Sequence, residues 1–177
     1  AFGMHVIFYD IVKKLALGSA KCVGSLSELL KLSDFVTLHV PETEQTKGMI
    51  GQEQLDMMKK GSYLLNLSRG SVVDIDALSN ALNGGHHSGE AVDVHPVEPK
   101  GNGKFDCSLS GIDSVILTPH IGGSTEEAQQ SIGVEVSDSL VRYIDTGSTT
   151  QAVNFPIVDL PLQGDAHRVL NIHKNVP

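Results

Sequence analysis

Residues 63–94 have the sequence YLLNLSRGSVVDIDALSNALNGGHHSGEAVDV, and this stretch decides the fold class. Apolar runs over residues 63–67 and 90–94 predict two strands. Between them, Asp74 is placed to cap a helix that runs to about Asn83, where two glycines can stop it. A strand, a helix and a strand with short links predict a right-handed crossover between parallel strands.

The same alternation continues outward from this stretch in both directions. Ser25 can cap a helix because its hydroxyl can accept a hydrogen bond from a free backbone N–H, and leucines follow it at helical spacing. The further predicted elements are strands over residues 5–10, 35–40 and 114–117, helices over residues 25–32 and 51–60, and a long helix over residues 126–144. The pattern indicates an α/β class with a doubly wound, parallel, Rossmann-like sheet that helices cover on both faces. We expect the long helix to connect two domains.

The composition excludes several classes of protein. The chain has 177 residues, and 13 Lys and Arg against 21 Asp and Glu give a formal charge of -8, so nucleic acid would be repelled. Hydrophobic residues make up 40% and charged residues 19%, which predicts a buried core rather than a disordered chain. No run approaches the roughly 18 apolar residues of a membrane span, and the first residues lack signal-peptide features. We therefore expect a cytoplasmic protein with no membrane partner.

Cysteines and paired histidines give no sign of a redox or metal centre. Cys22 and Cys107 are too few for a disulfide framework, and neither belongs to a CxxC pair. His86 and His87 are adjacent in a predicted loop, but no third ligand follows at metal-binding spacing. We expect reduced cysteines and no metal site.

Polar residues follow the predicted strands, and ligands bind at the carboxyl ends of strands in open α/β sheets because loops and helix N-termini converge there. The segments in question are residue 10, residues 39–41, residues 66–70, residues 93–99 and residues 118–123. We expect them to surround one crevice.

Asp10 follows the first predicted strand, where a carboxylate can accept hydrogen bonds from both ribose hydroxyls of a dinucleotide. The same charge would repel a 2′-phosphate, so this position favours NAD over NADP. An exposed acid that caps the next turn is an equally good interpretation, because the G-x-G-x-x-G fingerprint is absent from the sequence.

Arg69, Glu98 and His120 follow three further predicted strands. The guanidinium of Arg69 lies in a tight turn and could hold a substrate carboxylate through two hydrogen bonds. A Glu98–His120 pair would fix the imidazole tautomer and favour its protonated form, as a reversible acid and base requires. The alternatives are an arginine paired to a surface acid and a structural or surface histidine. All three residues follow strands of one predicted sheet, and this shared position favours a functional role over these alternatives.

Four segments carry a family resemblance. LHVPETEQTKGMIG (residues 38–51), LLNLSRGSVVDIDALSNAL (64–82), AVDVHPVEP (91–99) and LTPHIGGSTEEAQ (117–129) resemble the NAD-dependent D-2-hydroxyacid dehydrogenases and occur in the family's order. The resemblance implies that Arg69 clamps the substrate carboxylate, that His120 exchanges the proton and that Glu98 stabilises the imidazolium. His95 stands where the family usually has an aromatic residue.

The same resemblance implies a cofactor and its contacts. The cofactor is NAD, and its implied contacts are Asp10, His39, Val40, Pro41, Leu67, Ser68, Arg69, Asp93, His120, Gly122 and Gly123. In this interpretation Asp10 binds the adenosine ribose and Asp93 binds the nicotinamide carboxamide.

The carboxyl-terminal part of the chain resembles one branch of the family. GSTTQAVNFPIVDLPL (residues 147–162) is similar to members that oxidise 3-phospho-D-glycerate to 3-phosphooxypyruvate at the start of L-serine biosynthesis. The last residues resemble the opening strand of an ACT regulatory domain, which implies L-serine as an allosteric inhibitor and a homo-oligomer, specifically a homotetramer.

The resemblance also implies a division of the chain. Residues 1–124 would form a partial NAD-binding domain without its first strand and glycine loop. Residues 125–164 would form a return helix and linker belonging to the substrate domain, and residues 165–177 would begin the ACT domain. We expect an internal segment of a longer enzyme that is inactive alone.

Two other functions remain open from the sequence. One is reduction of another 2-oxo acid such as 2-oxoglutarate or glyoxylate, because the contacts to the substrate phosphate are expected outside these residues. The other is a non-enzymatic, NAD-sensing module that acts like a corepressor. Retention of Arg69, Glu98 and His120 together argues against the second.

Overall fold

The computed structural model describes residues 3–99, 101, 103, 105–161, 164, 167, 169, 171 and 173. The chain forms two compact units, one ending at His120 and the other beginning at Ile121.

Among its described residues, the first unit contains six strands and three α-helices. They are β1 (Ile7–Phe8), β2 (Lys21–Cys22), α1 (Leu26–Leu32), β3 (Phe35–Leu38), α2 (Gln52–Met57), β4 (Tyr63–Asn66), α3 (Ile75–Asn83), β5 (Gly89–Val92) and β6 (Val115–Leu117). A short 3₁₀ turn, Gly70–Val72, follows β4. Strands β3 to β6 form one parallel sheet in chain order, which confirms the parallel, Rossmann-like α/β fold.

Strand β1 departs from the prediction of a single sheet. Ile7 and Phe8 pair in parallel with Lys21 and Cys22, and these residues form a separate two-stranded sheet. The expectation that the first strand joins the others was therefore wrong. Strand β2 was not predicted at all, because two polar or small residues carry no alternation that would indicate a strand.

The main sheet buries one face. Val36, Leu64 and Val92 are each no more than 2% exposed and belong to a core that also contains residues of α1, α2 and α3. On the other face, Phe35 and Tyr63 stack with ring centroids 4.7 Å apart and are 52% and 38% exposed. The prediction that helices cover both faces was thus wrong for this unit, because all three helices contribute side chains to the same core.

Helix boundaries follow local capping. The Ser25 hydroxyl accepts a hydrogen bond from the Glu28 N–H, and Asp74 accepts from the N–H groups of residues 76 and 77. Helix α2 ends at Met57, earlier than predicted, because Met58 is already extended. Gly61 has a φ of 83° in the turn before β4, where its N–H donates to the His86 carbonyl at 2.7 Å.

The second unit is built on α4 (Glu126–Thr146), which confirms a long helix in this part of the chain. Thr125 caps its start and Gly147, with a φ of 68°, ends it. Beyond the helix, the Thr149 N–H donates to the Val158 carbonyl and the Thr149 hydroxyl accepts from the Val158 N–H. Of the expected ACT segment, only residues 167, 169, 171 and 173 are described, so that prediction lies largely outside the described residues. Within the described chain, no helix combines the length and the apolar character needed to cross a membrane.

Candidate active site

The turn after β4 is shaped by a buried asparagine. The Asn66 side chain is 1% exposed, and its amide donates to the Arg69 carbonyl at 3.1 Å. Its Oδ1 accepts from the Ser68 N–H at 3.1 Å and from the Ser68 hydroxyl at 2.9 Å. These bonds satisfy the backbone of the turn and leave the Arg69 side chain exposed.

Arg69 is held by its own turn rather than by an acid. Its backbone is extended, with a φ of -145°, and its Nη1 donates to the Ser68 carbonyl at 2.6 Å. In the described part of the chain, no ion pair involves Arg69. The alternative of an arginine paired to a surface acid therefore finds no support in this unit, and the guanidinium keeps donors for another anion.

Gly70 brings this turn against the segment that follows β5. A Cβ at Gly70 would overlap the carbonyl group of His95 and the nitrogen of Pro96. Because both neighbours are backbone atoms, only glycine allows this approach. The arginine turn is thereby fixed beside the residues that lead to Glu98.

Glu98 and His120 are hydrogen bonded. The His120 Nδ1 lies 2.8 Å from Oε1 and 3.0 Å from Oε2 of Glu98. The side chain of His120 is 39% exposed and that of Glu98 is 41% exposed. The His95 N–H also donates to Glu98 Oε1, at 3.1 Å. This backbone bond, with the His120 contact, holds the pKa of Glu98 below its ordinary value. Among the described residues, His120 Nε2 makes no hydrogen bond, so this nitrogen faces outward from the pair.

Asp93 fixes the backbone of His120. Its Oδ1 accepts from the Thr118 hydroxyl at 2.6 Å and from the His120 N–H at 3.2 Å. His120 has a φ of 52°, in the left-handed region that costs a non-glycine residue roughly 1–2 kcal/mol. The Asp93 contact offsets part of this cost, and its other carboxylate oxygen has no hydrogen bond in the described structure.

Most of the predicted cofactor residues follow strands of the main sheet in the first unit, whereas Asp10 follows β1 of the separate two-stranded sheet. Asp10 is exposed, and its Oδ1 accepts from the Val12 N–H at 2.8 Å, so the turn-capping interpretation also holds. His39 Nε2 lies 3.0 Å from the Thr37 hydroxyl, and Leu67 is 54% exposed. Val40 packs against the core, and Pro41 accepts a hydrogen bond from the Thr46 hydroxyl through its carbonyl.

Three of the predicted cofactor contacts, Ser68, Gly122 and Gly123, are either already bonded within the chain or lie in the second unit. Ser68 is buried and its hydroxyl is committed to Asn66, so this hydroxyl is not available to a ligand in this conformation. Gly122 and Gly123 belong to the second unit, where a Cβ at either would meet no atom within 4 Å. The Gly123 carbonyl accepts a hydrogen bond from the Gln129 side chain.

Sequence reasoning assigned no role to two members of the site, although both lie in segments that were expected to surround the crevice. Thr118 bonds Asp93 through its hydroxyl and His95 through its carbonyl, and His95 bonds Glu98 through its N–H. Their positions at the ends of neighbouring strands were a usable signal, although the hydrogen bonds depend on the register of β5 and β6.

No metal centre is found in the described chain, where His, Cys, Asp and Glu form no group of three or more that could hold an ion. His86 Nε2 instead contacts the Met58 carbonyl at 3.0 Å. His87 is buried, and this burial lowers its pKa below the ordinary value. His86 is thus bonded to the backbone, and His87 lies in the interior of this unit.

Comparison with known proteins connects this geometry to one family. Residues 1–122 match the family model described as D-isomer specific 2-hydroxyacid dehydrogenase, NAD binding domain. The chain is 54% identical over 178 residues to the D-3-phosphoglycerate dehydrogenases of Dictyostelium discoideum and of Escherichia coli strain K12. These alignments cover 100% of this chain but 44% and 43% of the two relatives, so the chain spans less than half of their length.

The chain is also similar to solved structures of dehydrogenases. A D-lactate dehydrogenase from Aquifex aeolicus, complexed with NAD and lactic acid, is 39% identical with a TM-score of 0.67, over 81% of this chain and 47% of that one. The holo form of Rhodotorula graminis D-mandelate dehydrogenase is 32% identical with a TM-score of 0.69, over 80% of this chain and 41% of that one.

Proposed function

The chain belongs to the D-isomer specific 2-hydroxyacid dehydrogenase family, and on this premise we propose that it carries the NAD-binding and acid–base part of a longer enzyme. The proposed reaction is oxidation of 3-phospho-D-glycerate to 3-phosphooxypyruvate at C2, the first step of L-serine biosynthesis. The similarity to named D-3-phosphoglycerate dehydrogenases supports the substrate. The observation that carries the chemistry is the Glu98–His120 pair with its outward Nε2.

Several of the proposed contacts offer chemical groups that a dinucleotide could use. Asp10 offers an exposed carboxylate for ribose hydroxyls, and the second oxygen of Asp93 can accept from a carboxamide N–H. The exposed Leu67 side chain offers apolar surface beside the arginine turn. When bound, NAD supplies the acceptor for the hydride that leaves C2. The other proposed contacts are His39, Val40, Pro41, Ser68, Arg69, His120, Gly122 and Gly123.

His120 is the proposed acid and base. A carboxylate can only accept hydrogen bonds, so Glu98 requires the proton of the neutral ring to sit on Nδ1. The Nε2 lone pair is then free to take the proton of the substrate hydroxyl. Glu98 lies against the imidazolium that results and stabilises its charge.

Arg69 is the proposed substrate clamp. Its planar guanidinium presents several N–H donors and has no acidic partner in the described residues, so it can bind the substrate carboxylate with two hydrogen bonds. The same positive charge would polarise the carbonyl that forms at C2.

The remaining assignments rest on sequence similarity. We propose a cytoplasmic homo-oligomer, specifically a homotetramer, with L-serine as allosteric inhibitor of the longer protein. The long helix is proposed to connect domains, with boundaries after residues 124 and 164 and an ACT-like segment after residue 164. Gel filtration and inhibition by L-serine test these assignments directly.

Steady-state oxidation by the full-length protein tests the proposed substrate. We expect NADH formation with 3-phospho-D-glycerate and a clearly lower kcat/KM with D-2-hydroxyglutarate, glycolate and D-lactate. A higher kcat/KM for an acid without phosphate would contradict the substrate and favour reduction of another 2-oxo acid. NAD binding without turnover on any of these acids would instead favour a sensing module.

A further inference from the structure

His95 lies where the three loops of the candidate site meet. Its backbone N–H donates to Glu98 Oε1 at 3.1 Å. Its side-chain Nε2 lies 3.1 Å from the carbonyl oxygen of Thr118, two residues before His120. One residue therefore contacts both the loop that carries the carboxylate and the loop that carries the imidazole.

The third loop touches the same residue through its backbone. Gly70 approaches the His95 carbonyl so closely that a Cβ would overlap it. Since Gly70 directly follows Arg69, the position of His95 also limits where the arginine turn can lie. The ends of β4, β5 and β6 are thus joined at His95.

The His95 ring is held in one orientation. It packs edge-on against Phe105, with ring centroids 4.6 Å apart. Its Nδ1 is buried and has no hydrogen-bond partner in the described structure. Because the Thr118 carbonyl can only accept, Nε2 must carry the proton and Nδ1 is the bare nitrogen of a neutral ring. This assignment leaves no donor of the ring unsatisfied.

We propose that His95 is a positioning residue whose Nε2–H bond to Thr118 sets the approach of Glu98 to His120, a role that rests on the proposed function. A phenyl ring could pack on Phe105 but could not donate to Thr118. Without this bond, the loop after β6 would be held to the loop after β5, in the described structure, by Asp93 and by the Glu98–His120 contact alone, so the approach of that pair would be less restricted.

The test compares three substitutions. His95→Phe removes the donor and keeps an aromatic ring, whereas His95→Gln keeps an N–H donor near the position of Nε2. His86→Phe is the matched control, because His86 is also half-buried and also contacts a backbone carbonyl through Nε2, but between α2 and the loop before β5. His95→Tyr replaces His95→Phe if the latter does not fold.

The first readout is an NMR signal that needs no enzyme activity. In the 15N-histidine-labelled 177-residue chain, the Nδ1–H proton of His120 should resonate downfield because it is bonded to Glu98, and His120→Gln identifies it by its loss. We expect this signal in the wild type, in His95→Gln and in His86→Phe, and its broadening by exchange in His95→Phe.

The second readout is kinetic, in the full-length protein. His95→Phe should lower kcat by about threefold to tenfold, the effect of one neutral hydrogen bond, with an unchanged KM for NAD. His95→Gln should restore most of the loss. An unaltered His120 signal in His95→Phe, or equal effects of His95→Phe and His86→Phe, would overturn the proposal.

These results separate this proposal from the proposed function. If the full-length protein oxidises none of the acids but the His120 signal responds to His95→Phe alone, the positioning contact is supported and the reaction assignment fails. If the enzyme is active and neither the signal nor kcat responds to His95→Phe, the positioning role fails while the reaction assignment stands.

Discussion

The two nitrogens of the His120 ring have different surroundings, and this difference determines which nitrogen is available to a ligand. Nδ1 is bonded to Glu98, whereas Nε2 has no partner among the described residues. The Glu98 pKa lies below its ordinary value because the His95 N–H and the His120 ring both bond the carboxylate, so this acid stays ionised across the neutral range. In the proposed mechanism, proton exchange with the substrate is thereby confined to Nε2.

Replacement of His120 tests this assignment. In the full-length protein, His120→Gln should lower kcat by ~100-fold or more, because general acid–base catalysis contributes at least that much. NAD affinity by isothermal titration should be almost unchanged, since the proposed loss is of proton transfer. His86→Gln is the control and should leave both quantities unchanged. An equal loss of NAD affinity in His120→Gln would assign the residue to cofactor binding.

Gly70 is important for stability because it lies against the backbone of His95 and Pro96. Gly70→Ala should destabilise the chain by about 3 kcal/mol, the upper part of the usual range for overpacking, because the new Cβ would overlap backbone atoms that cannot rotate away. Gly51→Ala is the control, since its Cβ would meet no atom nearer than 3.7 Å. Urea unfolding followed by circular dichroism measures both. Equal urea midpoints for Gly70→Ala and Gly51→Ala would show that the His95 backbone can shift to make room for the new Cβ.

Secondary elements differ in how far the sequence determines them. Helices α1 and α3 were predictable because Ser25 and Asp74 satisfy N–H groups only two or three residues away. The pairing of β1 with β2 joins residues 14 positions apart over two residues each, and no local pattern indicates it. The Glu98–His120 pair could be inferred from strand-end positions, whereas the Asp93–Thr118 bond depends on the register of β5 and β6.

Strand β5 contains a buried acid that the proposed mechanism does not use. Glu90 is 4% exposed, and both of its carboxyl oxygens are buried. Burial raises its pKa to about 9. The folded chain therefore holds a proton on Glu90 at neutral pH, while the unfolded chain, with the ordinary value of 4.5, does not.

This difference makes stability depend on pH with a defined sign. Between about pH 4.5 and pH 9, the Glu90 contribution to the free energy of unfolding should fall by up to about 1.4 kcal/mol per pH unit. Below this range the contribution is fully present, because both states are protonated. Urea unfolding at several pH values should show a flatter dependence in Glu90→Gln than in the wild type. Glu53→Gln, at an exposed position of α2, is the control, and an equally flat curve there would contradict the assignment.

The hydrophobic core and the Glu98–His120 pair both belong to the first unit. Every residue of the hydrophobic core and of its partly buried surroundings lies between Leu26 and Leu117. Helix α4, in the second unit, has no buried residue. A chain that ends after Ser124 therefore retains all the side chains of the core as well as Arg69, Glu98 and His120.

Truncation measures whether the first unit folds by itself. Residues 1–124 should unfold in one cooperative transition, because they retain every side chain of the hydrophobic core found in the described residues. The matched control ends after Asp113, which removes β6 and leaves the β5 edge unpaired, and its transition should be lost or strongly lowered in temperature. Differential scanning calorimetry measures both chains. A non-cooperative profile for residues 1–124 would contradict this prediction. It would show that the first unit needs residues beyond Ser124 to fold, although α4 has no buried residue.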